Sequence, residues 1–172
     1  MVLLISGCNP QVKTTDGIAD EMGSGAKIGA FTDSLSFAEY GSMHKLVYVP
    51  TYSHIYVRDG SREFDLTATL SVRNTDPEHG IRILSVRYSD SNGNIVRDFL
   101  GGPTLLGPLS SRPFVIEEND RTGGVGANFI VEWRSDTLVS DPIIEAVMIS
   151  TASSQGISFL SRGKVVRPID GE

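Results

Sequence analysis

Asp65-Leu66-Thr67-Ala68-Thr69-Leu70-Ser71-Val72-Arg73 alternates throughout: Leu66, Ala68, Leu70 and Val72 fall on one side, Thr67, Thr69, Ser71 and Arg73 on the other. Successive side chains of a strand point to opposite faces, so this stretch reads as a strand with one face buried and one wet. Its neighbours repeat the theme. Upstream, Leu46-Val47-Tyr48-Val49 is a β-rich run stopped by Pro50, and Tyr52 to Val57 follows at once. Downstream, Arg82 to Tyr88 alternates with Leu84, Val86 and Tyr88 on the expected inner side. Asn92-Gly93 then supplies the positive-φ turn that joins it to Ile95–Phe99 as a hairpin.

Further strands are expected at Pro113–Glu118, Ala127–Arg134, Ile143–Ser150 and Gly156–Ser161, with a short one at Lys164–Val166. Pro50, Pro77, Pro103, Pro108, Pro142 and Pro168 fall between runs, where a missing N–H does not break a ladder. No window carries a helical stripe. Eight or nine short strands separated by regular turns predict an all-β fold, an antiparallel β-sandwich of immunoglobulin-like type. Trp133, with Phe129 and Val131 on the same strand face, is the expected core anchor.

At 172 residues, 40% of them hydrophobic, the chain suits one domain with a real core. Net charge is −6, and the basic residues are scattered. Nucleic-acid binding draws on a concentrated basic surface, so DNA and RNA are not expected partners. No apolar stretch approaches the roughly 20 residues that span a bilayer as a helix.

Leu4-Ile5-Ser6-Gly7-Cys8 reads as a bacterial lipobox ending in the one cysteine of the chain. On this reading residues 1–7 are the end of a truncated lipoprotein signal segment, since they lack the basic n-region of a full one. Cys8 is then the lipid attachment residue. Residues 8–45 are rich in Gly, Ser, Thr and Asp and read as a flexible tether, with an r.m.s. span on the order of 30 Å. The apolar residues Ile28, Phe31, Leu35 and Phe37 offer a way for that segment to dock on the domain instead. The β domain is expected over 46–168 and a short tail over 169–172. Asn9 follows the cysteine; resemblance to envelope lipoproteins of two-membrane bacteria implies that the lack of Asp there permits outer-membrane sorting.

Tyr48-Val49-Pro50-Thr51-Tyr52-Ser53-His54-Ile55-Tyr56 and the run from Leu66 to Asp76 resemble an uncharacterised bacterial lipoprotein family, domain-of-unknown-function family 3124. Gly123-Gly124-Val125-Gly126-Ala127-Asn128-Phe129-Ile130-Val131-Glu132-Trp133, Ile143–Ile149 and Gln155–Phe159 carry the same resemblance in order. It covers about Leu46 to Arg167. It implies a secreted or lipid-anchored single domain and brings no reaction, ligand or catalytic residue.

Candidate sites follow from residue type and placement. Tyr52, His54 and Tyr56 are expected on one strand face, where two rings around an imidazole suit a sugar or small aromatic ligand. The plainer account is a half-buried sheet face. Glu117-Glu118-Asn119-Asp120-Arg121, running into a glycine-rich stretch, concentrates carboxylates beside a loop that ends at Asn128. A hard cation would suit such oxygens, yet Glu117 and Glu118 point oppositely on a strand, and a tight acid-capped turn is the plainer reading. The glycines lead into a strand and lack the Lys-Ser/Thr of a P-loop. Asp90–Asn94 reads as a hairpin turn. Arg162, beside Gly163, can fork onto a partner's carboxylate or phosphate, or pair with acids of its own surface.

His44, His54 and His79 show no metal-ligand spacing, so no metal is expected, and no cofactor motif is present. No Gly-x-Ser-x-Gly elbow occurs; a Ser-His-Asp triad from Ser158 or Ser161 with His54 is an arrangement that spacing does not test. The sequence therefore reads as a lipid-anchored bacterial envelope protein on the periplasmic face, a non-catalytic binding or assembly module. Its partners are the membrane, through acylated Cys8, and an envelope protein met by Asp120, Arg121 and Asn128. The alternative is a small-ligand-binding protein or hydrolase working through the Tyr52/His54/Tyr56 face.

Overall fold

The computed structural model describes residues 42–151 and 156–168. Cys8, the signal segment, residues 8–41 of the expected tether and the 169–172 tail lie outside the described residues. Among those described there are twelve strands and no helix. They are β1 Met43–Pro50, β2 His54–Val57, β3 Arg62–Asp65, β4 Thr67–Arg73, β5 Ile81–Ser89 and β6 Ile95–Asp98. The chain continues through β7 Thr104–Leu106, β8 Ser111–Ile116, β9 Asn128–Ser135, β10 Ile143–Ser150, β11 Ile157–Arg162 and β12 Lys164–Pro168. Every pairing is antiparallel.

A six-stranded sheet runs β12-β1-β9-β5-β6, with β7 also on β5. A four-stranded sheet runs β11-β10-β4-β8, and β2 and β3 form a separate ribbon. The stripe that decides the fold behaves as read: Leu66, Ala68, Leu70 and Val72 are fully buried. They meet Phe129, Val131 and Trp133 from β9, Val47 and Val49 from β1, and Ala146 and Met148 from β10 in one core. Burying side chains of this size contributes about 1.5–3 kcal/mol each, which is what offsets the ordering of so many short strands.

Several expectations need correction. Met43, His44 and Lys45 belong to β1 and not to a tether, because they pair with Ser135, Arg134 and Trp133 of β9. Leu84 is only half-buried, while Ile81, Ile83, Val86 and Tyr88 are fully buried. The register slips between Ile83 and Ser85, so Leu84 is the extra residue of a bulge, and the inward phase changes there. The segment after Pro50 leaves the sheet, and His54–Val57 pairs instead with Arg62–Asp65. Neither β3 nor β7 was expected. Pro113 lies inside β8 rather than at its start, on an edge strand where no ladder partner is lost.

One side of the fold ends in a single bent strand. β11 completes the four-stranded sheet, Gly163 makes the corner, and β12 completes the six-stranded sheet. Gly163 N–H donates to Ile144 O at 2.8 Å. A Cβ there would stand 2.7 Å from both that carbonyl and Val47 Cγ1, so glycine is required by close approach.

The strands also define two ends. At one, β1 enters at Ser42, and the β4–β5, β7–β8 and β9–β10 loops gather around Asn74 and Asp76. At the other lie the β2–β3 ribbon, the β5–β6 hairpin and the β8–β9 loop.

Candidate functional site

The β8–β9 loop is built from two successive turns. Asp120 N–H donates to Glu117 O at 3.0 Å, and Gly124 N–H to Arg121 O at 3.1 Å. The Asp120 carboxylate caps the second turn, accepting from Thr122 N at 3.1 Å and from the Thr122 hydroxyl. Its other oxygen accepts from Arg97 of β6 at 3.0 Å. An acid-capped turn is thus what Glu117 to Arg121 form.

The glycines that follow serve close packing. Gly123 O accepts from Ser91 N at 3.0 Å and from Ser91 Oγ at 3.1 Å, while Ser91 Oγ accepts from Gly126 N at 2.9 Å. Gly124 O accepts from Ser53 N and Ser53 Oγ, both at 3.1 Å. A Cβ on Gly123 would fall 2.0 Å from the Tyr88 hydroxyl oxygen. That hydroxyl is buried with no hydrogen-bond partner. Burial, helped by the nearby Asp120 charge and opposed by Arg97, pushes the Tyr88 phenol up to about 12.

Arg121 leaves the loop and spans the ribbon. Its guanidinium stands 2.6 Å from Glu63 Oε2 and 2.6 Å from Asp65 Oδ1, which holds it more firmly protonated than usual. Glu63 Oε1 is 3.8 Å from His54 Nε2. On its other side His54 Nδ1 lies 3.1 Å from Ser53 Oγ. A hydroxyl has one hydrogen; with it directed at Gly124 O, His54 Nδ1 must be the donor to Ser53 Oγ. Ser53 is fully buried, so this Ser–His–Glu chain fastens ribbon to loop and offers no open nucleophile. Ser158 and Ser161, on β11, make no hydrogen bond to it.

The sequence-named residues therefore divide. His54 and Tyr56 do share a face of β2, their rings edge-on at 5.6 Å, but Tyr52 precedes the strand and packs edge-on against Phe159 at 5.7 Å. The expected three-residue face is a pair. Asp120 and Arg121 join this end, both engaged in internal ion pairs. Asn128 is buried at the start of β9, between Pro50 and Ser89, and does not reach the surface. Arg162 is elsewhere. It lies opposite Glu145 on β10 and lines a cavity of about 360 Å³ with Pro142, Ile143, Ile144 and Gly163. A second cavity of about 410 Å³, lined by Asp65, Glu118 and Asn119, adjoins the Arg121 cluster. Among the described residues no group of three His, Cys, Asp or Glu side chains converges as a metal cage.

Residue-by-residue reading missed Ser53, Glu63, Asp65 and Ser91 at this end, and Asn74 and Asp76 at the other. Asn74 Nδ2 donates to His79 O at 2.8 Å, Gly107 O at 2.9 Å and Leu106 O at 3.3 Å. Asp76 accepts from the backbone of Glu78, His79 and Ser140, and these bonds lower its carboxyl to about 2. Asn and Asp between a strand and Pro77 are turn formers, and that was the available signal.

The family model described as protein of unknown function (DUF3124) matches residues 44–166. The chain belongs to this family. Its matched span contains both ends just described and every strand except the last two residues of β12 and the first of β1. No curated protein and no solved structure matches the chain.

Proposed function

We propose that this member of the DUF3124 family is a lipid-anchored protein of the bacterial cell envelope, acylated at Cys8, that acts by binding rather than by catalysis. In a host with two membranes it sits on the periplasmic face of the outer membrane. The domain is an immunoglobulin-like sandwich in variant form: β4 pairs with β8, which here is an edge strand, and β5 with β9, while β1 flanks β9 and β10 flanks β4. The partner is another envelope component, met by the end that carries Arg121, Glu118 and Tyr56.

One observation carries this reading. Three chain segments at that end are cross-tied by Arg121–Glu63, Arg121–Asp65 and Asp120–Arg97, which fixes a polar surface in advance of binding. Tyr56 stands 55% exposed beside it, an amphipathic ring of the kind that anchors protein contacts. Sandwiches serve many roles, so it is this surface and not the fold that supports a binding role.

The test is crosslinking in intact cells of the native organism with tagged full-length protein, identifying captured species by mass spectrometry. One dominant partner, reduced by Tyr56→Ala with Glu118→Lys and by Cys8→Ser, is expected. Capture unaffected by the Tyr56/Glu118 pair would remove the binding end. An unacylated Cys8 in the mature protein would remove the anchor.

A further inference from the structure

The end opposite Arg121 is built to expose apolar side chains. Leu138, Leu109 and Leu105, at 73%, 69% and 64%, are the three most exposed large hydrophobic side chains among the described residues. They come from different segments that share one fastening. Leu109 N–H donates to Asp76 O at 3.1 Å, Ser140 N–H donates to the Asp76 carboxylate at 3.1 Å, and Leu106 O and Gly107 O accept from Asn74. Leu105 and Pro108 line a shallow cavity of about 230 Å³ together with Ser135, Asp136 and Thr137, the residues just before Leu138. Leu109 adopts φ of 52°, a left-handed conformation that is strained for a residue with a side chain. The loop is held in this strained form with its leucine in solvent.

Two further observations say what covers these leucines. The chain enters the domain at this same end, where Met43 pairs with Ser135 and Met43 Sδ accepts from Val139 N. A chain that runs from an anchor to Ser42 therefore joins the domain at this end. The surrounding charges are mixed and partly self-compensated: Arg82 and Arg134 share Asp136, and Lys45 pairs with Asp141. With three cations against two acids in these pairs, the surface carries no strong charge of one sign, which favours apolar insertion over electrostatic capture.

We propose that Leu105, Leu109 and Leu138 dip into the interfacial layer of a lipid bilayer, seating the domain with its Arg121 end outward. This rests on the anchor reading above for its biological setting, and the experiment separates the two. Full-length chain carrying Cys8→Ser and an N-terminal polyhistidine tag is tethered to phosphatidylcholine vesicles containing a nickel-chelating lipid, so the tether does not depend on acylation. An environment-sensitive fluorophore is placed at Leu109→Cys, at Leu138→Cys, or at Asn92→Cys on the opposite end. Probes at 109 and 138 should shift to the blue and be quenched by brominated lipid, with the probe at 92 unchanged. Replacing all three leucines by serine should lower vesicle partitioning of the untethered chain at least about tenfold, with little dependence on salt, while thermal unfolding stays in place.

Probes at 109 and 138 as accessible as the one at 92 would overturn the proposal. So would probes unquenched on vesicles yet protected in native envelopes, which would assign the leucines to a protein partner. Mass spectrometry showing free Cys8 thiol in native protein would overturn the anchor reading alone, with the vesicle result deciding the lipid contact by itself.

Discussion

The two ends of this domain are held by different chemistry. Around Asn74 and Asp76, buried side chains hydrogen-bond to backbone groups of three loops, and the surface left outside exposes three leucines among mixed charges. Around Arg121, glycines allow backbone to pack on Tyr88, Ser91 and Ser53, and exposed ion pairs tie the outside together. The first end depends on side chains that have no substitute. The second depends on the absence of side chains, with ion pairs that order its surface more than they stabilise the fold. Buried polar groups are costly to orphan, whereas exposed ion pairs contribute a fraction of a kcal/mol each.

That contrast sets an order of effects. Asn74→Ala should be the most damaging change, about 3 kcal/mol or more by urea unfolding, because it strips partners from three carbonyls and from Asp76 N–H. Gly123→Ala should follow at about 2–3 kcal/mol, since Tyr88 or the loop must move. If Gly123→Ala proves harmless, the Arg121 end is not held by close packing and the comparison fails.

Asp76 gives the comparison a pH axis. Its carboxyl is held at about 2 against an ordinary value of 3.8, so its contribution is complete above that ordinary value and is lost as pH falls toward 2. Asp76→Asn should flatten the acid limb of the stability curve over that window. An acid limb identical to the parent protein's would show that the carboxylate is not stabilising this end. Arg121→Gln should lower the urea midpoint by less than Asn74→Ala or Gly123→Ala, through loss of the cation beside the buried Asp65 Oδ1, and the Glu63 part of that loss should shrink in high salt. Tyr88→Phe should be nearly neutral near pH 7, because the hydroxyl it removes has no partner. In the parent protein, ionisation of the unfolded phenol from about 10 upward draws stability away until the folded value of about 12 is passed. The phenylalanine variant should lose that alkaline component, which a pH series of thermal melts would read.

What was legible in the sequence follows the same physics. Period-two stripes such as Leu66–Val72 and Phe129–Trp133 report burial on one face, and burial is what fixes a strand's register. At Leu84 the sequence offered two phases, Ile81/Ile83 and Leu84/Val86/Tyr88, and a bulge satisfies both inner sets except Leu84 itself. Arg62-Glu63-Phe64-Asp65 shows no such stripe because a small ribbon buries little, so β3 was silent. At the Arg121 end, turn chemistry named Asp120 and Arg121. Their partners Glu63 and Asp65 lie in a separate ribbon, a pairing that no local pattern encodes.

The bend at Gly163 also bears on how the protein behaves in company. A sheet rim recruits other chains when it offers a straight, unbroken row of free backbone groups. Here one rim is divided between two planes by that corner, and the other consists of a strand interrupted by Pro113 and the short β6 and β7. Neither rim of the two large sheets presents a long, straight row of free backbone groups, so edge-to-edge stacking of copies through those sheets lacks a template.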